Sequence, residues 1–221
     1  MPSKLRAAYD QAFNGIQEDI LRLSEMVDQA IARSLHSLEQ RDQVMAKQVI
    51  ADDDAINNLR FKIEEDCLKL IATQQPAARD LRAIVAAMNI VVDVERMGDY
   101  AAGIAKTVIR MGDEPLLKPL IDIPRMVALS RQMLRDAIEA YATRNAEKAR
   151  QIASRDDEVD HLYKAIFDEL VEIMAETPAS APRATYLLWV AHNLERMGDR
   201  VTNIAERVVF INTGDMKELN D

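Results

Sequence analysis

One string occurs twice in this chain and constrains everything else. Glu95-Arg96-Met97-Gly98-Asp99 returns one hundred residues later as Glu195-Arg196-Met197-Gly198-Asp199. The register continues on both sides: Val94 answers Leu194, and Ile104-Ala105-Lys106 answers Ile204-Ala205-Glu206. Self-similarity at a fixed interval marks a duplicated structural unit, here of roughly a hundred residues.

The spacing within the string gives it a geometry. Glu95 and Asp99 are four apart, as are Glu195 and Asp199, so each pair shares one helix face. At about 100° per residue, Asn203 and Glu206 fall in the same arc as the second pair. Leu194, Met197, Val201, Ile204 and Val208 gather on the other side. Carboxylates opposite an apolar stripe are often a solvated face. Two features weigh against a plain solvated face, and the repulsion of like charges four apart invites a cation between them. Apolar Leu188, Ala191, Val209 and Phe210 interrupt the acidic arc, and Gly98 and Gly198 weaken both helices by about 1 kcal/mol each relative to alanine. A glycine at the same place in both repeats predicts that another backbone comes close there.

Breaks divide the chain into six helices. Apolar residues at three-and-four spacing predict helices from about Lys4 to Glu39, and from a cap at Asp42 to Thr73. A third runs from Ala77 to Arg110 after Pro76. The stretch Gly112 to Pro124 is the linker. Helices from Ile123 to Tyr141, from Ala146 (capped by Asn145) to Glu176, and beyond Pro182 to Asn212 complete the second half. No strand is expected. The fold class is all-α: two tandem three-helix bundles, 1–112 and 113–221, from an internal duplication.

The second helix of each half repeats as well. Asp54-Ala55-Ile56-Asn57 parallels Asp157-Glu158-Val159-Asp160, with Asp53 and Asp156 just before, at an interval of 103. In an antiparallel hairpin, Asp54 and Asn57 approach Glu95 and Asp99, while Asp157 and Asp160 approach Glu195 and Asp199. An oxygen-rich cluster from two helices suits a hard or borderline cation. All-oxygen ligands admit Mg, Mn, Ca or Fe, and Zn if a histidine such as His192 joins.

Charge and composition exclude other classes. The 221 residues include 28 Lys and Arg against 37 Asp and Glu, a net charge of −9. That disfavours nucleic acid and anionic lipid, which need a basic face. The longest apolar run is too short to span a bilayer, so no direct membrane insertion is expected. The single cysteine, Cys67, and an N-terminus without a signal-peptide pattern suggest the cytoplasm. No phosphate loop or nucleophile triad is present.

With these residues in hand, the chain resembles the PhoU family of phosphate-uptake regulators nearly end to end. The resemblance rests on Pro76-Ala77-Ala78-Arg79-Asp80-Leu81-Arg82, on both Glu-Arg-Met-Gly-Asp strings, and on Asn193 with Asn203-Ile204-Ala205-Glu206. It implies two three-helix bundles, often dimeric, with metal ions at the Glu-x-x-x-Asp strings. It also implies a cytosolic adaptor between a phosphate transporter ATPase and a sensor histidine kinase, restraining both when phosphate is plentiful; no catalytic activity is expected of the chain. The resemblance suggests a partner-docking surface at Arg79, Asp80 and Arg82; helix-end solubility is the plainer reading.

Two departures bear on the sites. Arg200 stands where the family has His, and Lys106 stands where the second copy has Glu206. Arg200 removes any imidazole at that position from the second site and Lys106 weakens the first; the second half is expected to bind metal better because its acids are more numerous, with Asp160 where the first half has Asn57. Two other classes stay open on the residues alone. One is a ferritin-like di-metal enzyme, for which Glu158-x-x-His161 supplies only one of two required motifs. The other is a metal-free helical scaffold.

Overall fold

The computed structural model describes residues 4–215 and 217–219. Among them are seven α-helices and no strand: α1 Lys4–Gln40, α2 Gln43–Gln74, α3 Arg79–Met111, α4 Asp122–Thr143, α5 Ala146–Ala153, α6 Asp156–Glu176 and α7 Ala181–Thr213. Helix α1, with 37 residues, is about 55 Å long at 1.5 Å per residue. Both expected caps form. Asp42 Oδ1 accepts from the backbone N–H of Val44 and Met45, each at 2.9 Å, and Asn145 Oδ1 from that of Lys148 at 3.0 Å, satisfying donors that a helix start leaves open.

One expected helix is two. The stretch from Ala146 to Glu176 breaks at Ser154 and Arg155, where the Arg155 guanidinium reaches back to Asp136 on α4 at 3.0 Å. The break matters for the site. It makes Asp156 the first residue of α6, at a helix end whose open N–H groups favour negative charge.

Helices α1 to α3 pack as one group and α4 to α7 as another, yet the most extensive packing in the chain is α3 against α7. Their fully buried faces (Ile84, Ile90, Val94 and Met97 on α3; Leu187, Leu194, Val201 and Ile204 on α7) join one continuous core. The register is antiparallel and nearly two-fold. Arg82 lies against Gly214, Asp93 bonds Asn203, Tyr100 carries Arg196, and Gly103 meets Asn193. Each step forward along α3 is matched by a step back along α7, and the midpoint falls at Gly98 and Gly198. The duplicated halves thus meet as two subunits of an isologous dimer would.

This register explains two arginines. It sets Arg96 opposite Arg200, so the like charges part. Arg96 turns to Asp99 on its own helix at 2.9 Å, and Arg200 crosses to Asp93 at 3.3 Å. On the opposite side of the seam, α1 is tied to α4. Asp28 accepts both forks of Arg131, at 2.8 and 2.7 Å, and one N–H of Arg135 at 3.0 Å, the paired geometry that guanidinium and carboxylate share.

Cys67 is fully buried, and burial pushes its thiol up to about 12, so it is inert core. Tyr141 is 2% exposed, and its hydroxyl finds no hydrogen-bond partner among the described residues. Leaving such a group unmade costs about 1–3 kcal/mol. Tyr141→Phe is therefore expected to gain roughly 1 kcal/mol, read as a higher urea midpoint at unchanged slope.

Candidate functional site

The two strings build two acidic clusters, each between a long central helix and the one that precedes it. In the first half, Glu95 and Asp99 on α3 face Asp53, Ile56 and Asn57 on α2. Gly98 permits the approach: a Cβ there would sit 3.2 Å from two Ile56 carbons and 3.5 Å from Asp53 Oδ1. The close neighbour is a side chain, not the backbone expected from sequence. Asp53, rather than Asp54, is the inner carboxylate; Asp54 lies exposed on the outer face of α2. Asn57 donates to Asp53 Oδ2 at 3.4 Å, while Asp53 Oδ1 is buried without a donor.

Electrostatics mark these groups. Burial, then the charge of Asp99, raises the Asp53 pKa, against Lys106 and the Asn57 bond. Burial and Asp99 raise Glu95 too, opposed by Arg96 and Arg60. The first cluster is thus laced with cations of its own.

The second cluster has fewer. A Cβ on Gly198 would fall 2.2 Å from Asp156 Oδ1 and 3.5 Å from a Val159 methyl, so α6 is seated on the glycine. Asp156 is buried, and its Oδ2 accepts from the Thr202 hydroxyl at 3.3 Å. Burial, followed by the charges of Asp160 and Asp199, pushes its carboxyl up to about 6. Asp160, though its side chain reaches solvent, is raised by partial burial, then by Asp199 and Asp157, with His161 opposing. Glu195 is raised by burial and Asp199, with His192 and, more weakly, Arg196 opposing. Glu195 Oε2 is buried without a hydrogen-bond donor; His192 Nδ1 stands 3.4 Å away in ion-pair reach. Arg200, on the residue after Asp199, is spent on Asp93 across the seam.

Several sequence-assigned groups stand elsewhere. Asp157 is exposed, like Asp54, because Asp156 takes the inward position one residue earlier. Asn203 donates to Asp93 Oδ1 at 3.1 Å, so the α3–α7 seam, not the cluster, holds it. Glu206 accepts from the Leu219 backbone N–H at 3.0 Å, anchoring the returning C-terminal segment. Of the docking trio, Arg79 is exposed. Asp80 is bonded by Arg6 at 2.5 Å, and its carbonyl by the Tyr9 hydroxyl at 3.2 Å. A Cβ built on Gly214 would lie 3.6 Å from the Arg82 guanidinium carbon, so Arg82 is set against the end of α7, and two of the three face other parts of the fold. Glu158 and His161 are exposed on α6, and Ala55 and Asn58 stand in their places on α2, which leaves a ferritin-type motif incomplete.

Among the described residues, no three His, Cys, Asp or Glu side chains close around a common point as a finished coordination shell. The donor set nonetheless suits a hard cation. It is oxygen-rich, it is drawn from two helices, it holds a buried acceptor without a donor in each half, and its carboxylates raise one another's pKa.

The raised Asp156 pKa has a sign. The folded state holds this proton more tightly than the unfolded chain, whose Asp titrates near 3.9. The group therefore costs nothing below about pH 4, and its penalty grows as pH rises through about 6. Cation-free protein should lose on the order of 2–3 kcal/mol from this one group between pH 4 and 7. Asp156→Asn should flatten that slope, measured by urea unfolding at each pH.

Fold and site together define a duplicated protein, all-helical among the described residues, with paired carboxylate clusters. The PhoU domain model matches it twice, over residues 20–108 and 123–208. The phosphate-specific transport system accessory protein PhoU homolog of Clostridium acetobutylicum is 38% identical over 217 residues, covering 98% of this chain and 99% of its own. That of Streptococcus pneumoniae serotype 4 is 35% identical, covering 98% and 100%. Among solved structures, the phosphate transport system regulatory protein PhoU from Streptococcus pneumoniae superposes with a TM-score of 0.89 at 33% identity, covering 95% of this chain and 99% of that one. PhoU from Pseudomonas aeruginosa gives 0.89 at 30% identity, covering 94% and 100%. The chain belongs to the PhoU family, with accessory and regulatory proteins rather than enzymes. No helix among the described residues is long and apolar enough to cross a membrane.

Proposed function

We propose that this chain is a cytoplasmic regulator of phosphate uptake and phosphate-starvation signalling. It acts as an adaptor between a phosphate transporter ATPase and a sensor histidine kinase, and restrains both when phosphate is plentiful. One observation carries this reading: the family model fits both halves of a chain aligned almost end to end with phosphate-transport accessory proteins. Residues 1–112 and 113–221 act as two copies of one unit, and the protein works as a homodimer.

The two clusters hold divalent or iron-type ions (Fe, Zn, Mn or Mg). In the second half the ligands are Glu195, Asp199 and Asp160, with Asp156 in place of Asp157 and His192 as a nitrogen donor. In the first they are Glu95, Asp99 and Asn57, with Asp53 in place of Asp54. The second site binds more tightly, because Arg96, Arg60 and Lys106 already offset the first. A bound ion neutralises charge that the apo fold leaves repelling, and so stiffens α6 on α7 and α2 on α3.

Deleting the gene in its native host tests the function. In phosphate-replete medium, the deletion should raise phosphate uptake and phosphate-starvation transcripts, and the wild-type chain should restore both. Unchanged uptake and transcripts in the deletion would overturn the reading.

A further inference from the structure

The α3–α7 seam carries two arginines that no carboxylate claims. Arg196 of α7 crosses to lie over the Tyr100 ring of α3 at 4.7 Å. Arg110 of α3 crosses the other way, over the Trp189 ring of α7 at 5.5 Å. Both arginines are exposed. Among the described residues neither forms a salt bridge; Glu195, beside Arg196 in the chain, feels its charge but does not pair with it. A ring face orients a guanidinium without neutralising it.

The duplication shows what this arrangement replaces. Exchanging α3 and α7 at the interval of 100 turns the Tyr100–Arg196 pair into Arg200 opposite Arg96. There each guanidinium has an acid: Asp99 for Arg96 at 2.9 Å and Asp93 for Arg200 at 3.3 Å. The same exchange puts Asn193 in the place of Asp93, and sets Asn89 and Phe210 where Trp189 and Arg110 stand. One side of the seam's midpoint is thus neutralised, while the other is stacked and left charged. The helix pair packs with either arrangement, so packing does not require the unpaired charges.

Spacing and surroundings select the occupant. Trp189 and Arg196 are seven residues apart, which sets the two stacked guanidiniums about 10 Å apart along the seam. One phosphate ion cannot bridge them while both stay stacked; two carboxylates seven apart on a helix can. Between them the surface is low, because Gly103 has no side chain and Asn193 donates back to the Trp189 carbonyl at 2.7 Å. The acids of this face stand to either side. Asp99 acts on Asp53 towards α2 and is held by Arg96, while Glu195 and Asp199 act on Asp160 towards α6. An acidic partner is therefore admitted only along the line of the two rings.

We propose that the α3–α7 seam at Arg110 and Arg196 docks an acidic helical segment of a protein partner, two of whose carboxylates take one guanidinium each. Carboxylate and guanidinium match in a planar, two-bond geometry, and the rings have already oriented the arginines, so less freedom is lost on binding. This rests on the adaptor reading and gives the chemistry of one partner. It is tested on purified protein, so its failure leaves the deletion phenotype standing, and a silent deletion leaves the binding measurable.

The probe is a labelled alanine-rich helix of about 18 residues bearing two Glu seven apart. Its anisotropy is followed on titration with the full chain, in chelator so that no cation bridges probe and clusters. Saturable binding is expected, with a change in the emission of Trp189, the only tryptophan in the chain. The Kd should rise at least tenfold in Arg110→Gln, in Arg196→Gln and in Asn193→Asp, which restores the acid of the mirror side, with circular dichroism unchanged. Arg96→Gln, on the neutralised side, should leave it within about twofold. The proposal is overturned if no binding occurs, if the Kd survives Arg196→Gln and Asn193→Asp, or if the same helix with two Lys binds as tightly. It also fails if inorganic phosphate displaces the probe at an ionic strength where chloride does not, which would make this a free-anion site. Phosphatidylglycerol vesicles that bind with the same dependence on the variants would assign the seam to a lipid surface instead.

Discussion

Glu195→Gln/Asp199→Asn should melt higher than the parent protein in chelator and lower than the parent in excess Mn²⁺. In the apo fold, both carboxylates face Asp156 and Asp160, and burial plus their mutual charge raises Glu195. Removing two negative charges relieves on the order of 1–2 kcal/mol of repulsion, or about 2–8 °C for a chain of this size. The parent recovers more than this from a bound ion, since ligand at a hundred times its Kd adds about 2.7 kcal/mol. The variant lacks the donors and gains nothing. Glu95→Gln/Asp99→Asn should show the same crossover with smaller amplitude in chelator, because it also discards the Arg96–Asp99 pair. Differential scanning calorimetry of the three proteins, with and without Mn²⁺, reads both terms.

Gly198→Val should be the most damaging single change in the second half. Its Cβ would lie 2.2 Å from Asp156 Oδ1, and Asp156 sits at the rigid start of α6 with too short a side chain to swing clear. Either α6 lifts from α7 or the carboxylate is forced among its neighbours. Overpacking of this order costs about 2–3 kcal/mol, beyond what leaving glycine gains in helix propensity. Gly103→Ala is the control. There the nearest atom, Asn193 Oδ1 at 3.1 Å, need give only by a few tenths of an ångström while its amide keeps its bond to the Trp189 carbonyl, and the change should stay within about 1 kcal/mol. Urea unfolding separates the two.

The architecture was legible because helical periodicity and punctuation agree. Asp42 and Asn145 cap the helices expected of them, and Gly112 closes α3. The doubled string pointed to Glu95, Asp99, Glu195 and Asp199, and the structure sets each pair beside the helix that precedes it. Rotation of that preceding helix was harder to read. Asp53 beside Asp54, and Asp156 beside Asp157, differ by one residue and therefore by about 100°; only packing of Ile56 and Val159 against the glycines decides which acid turns inward. The break at Ser154 and Arg155 has no proline or glycine to announce it, and Arg155 there bonds Asp136, a residue of another helix. Asp93 was missed for a similar reason. Its partners, Asn203 and Arg200, lie in the other repeat, and helix periodicity within one repeat cannot place a residue across the seam.

If the two acidic clusters hold cations, the second more firmly than the first, metal must accompany the protein through purification, and that is directly measurable. Elemental analysis by mass spectrometry tests it on untagged protein purified without chelator, beside Glu195→Gln/Asp199→Asn and Glu95→Gln/Asp99→Asn. The account predicts metal in the wild type, a large loss in the second-half variant and a smaller loss in the first-half variant. Wild-type protein that is folded, restrains phosphate uptake in cells and carries no metal would contradict it, and would leave the clusters as packing and docking features of the regulator.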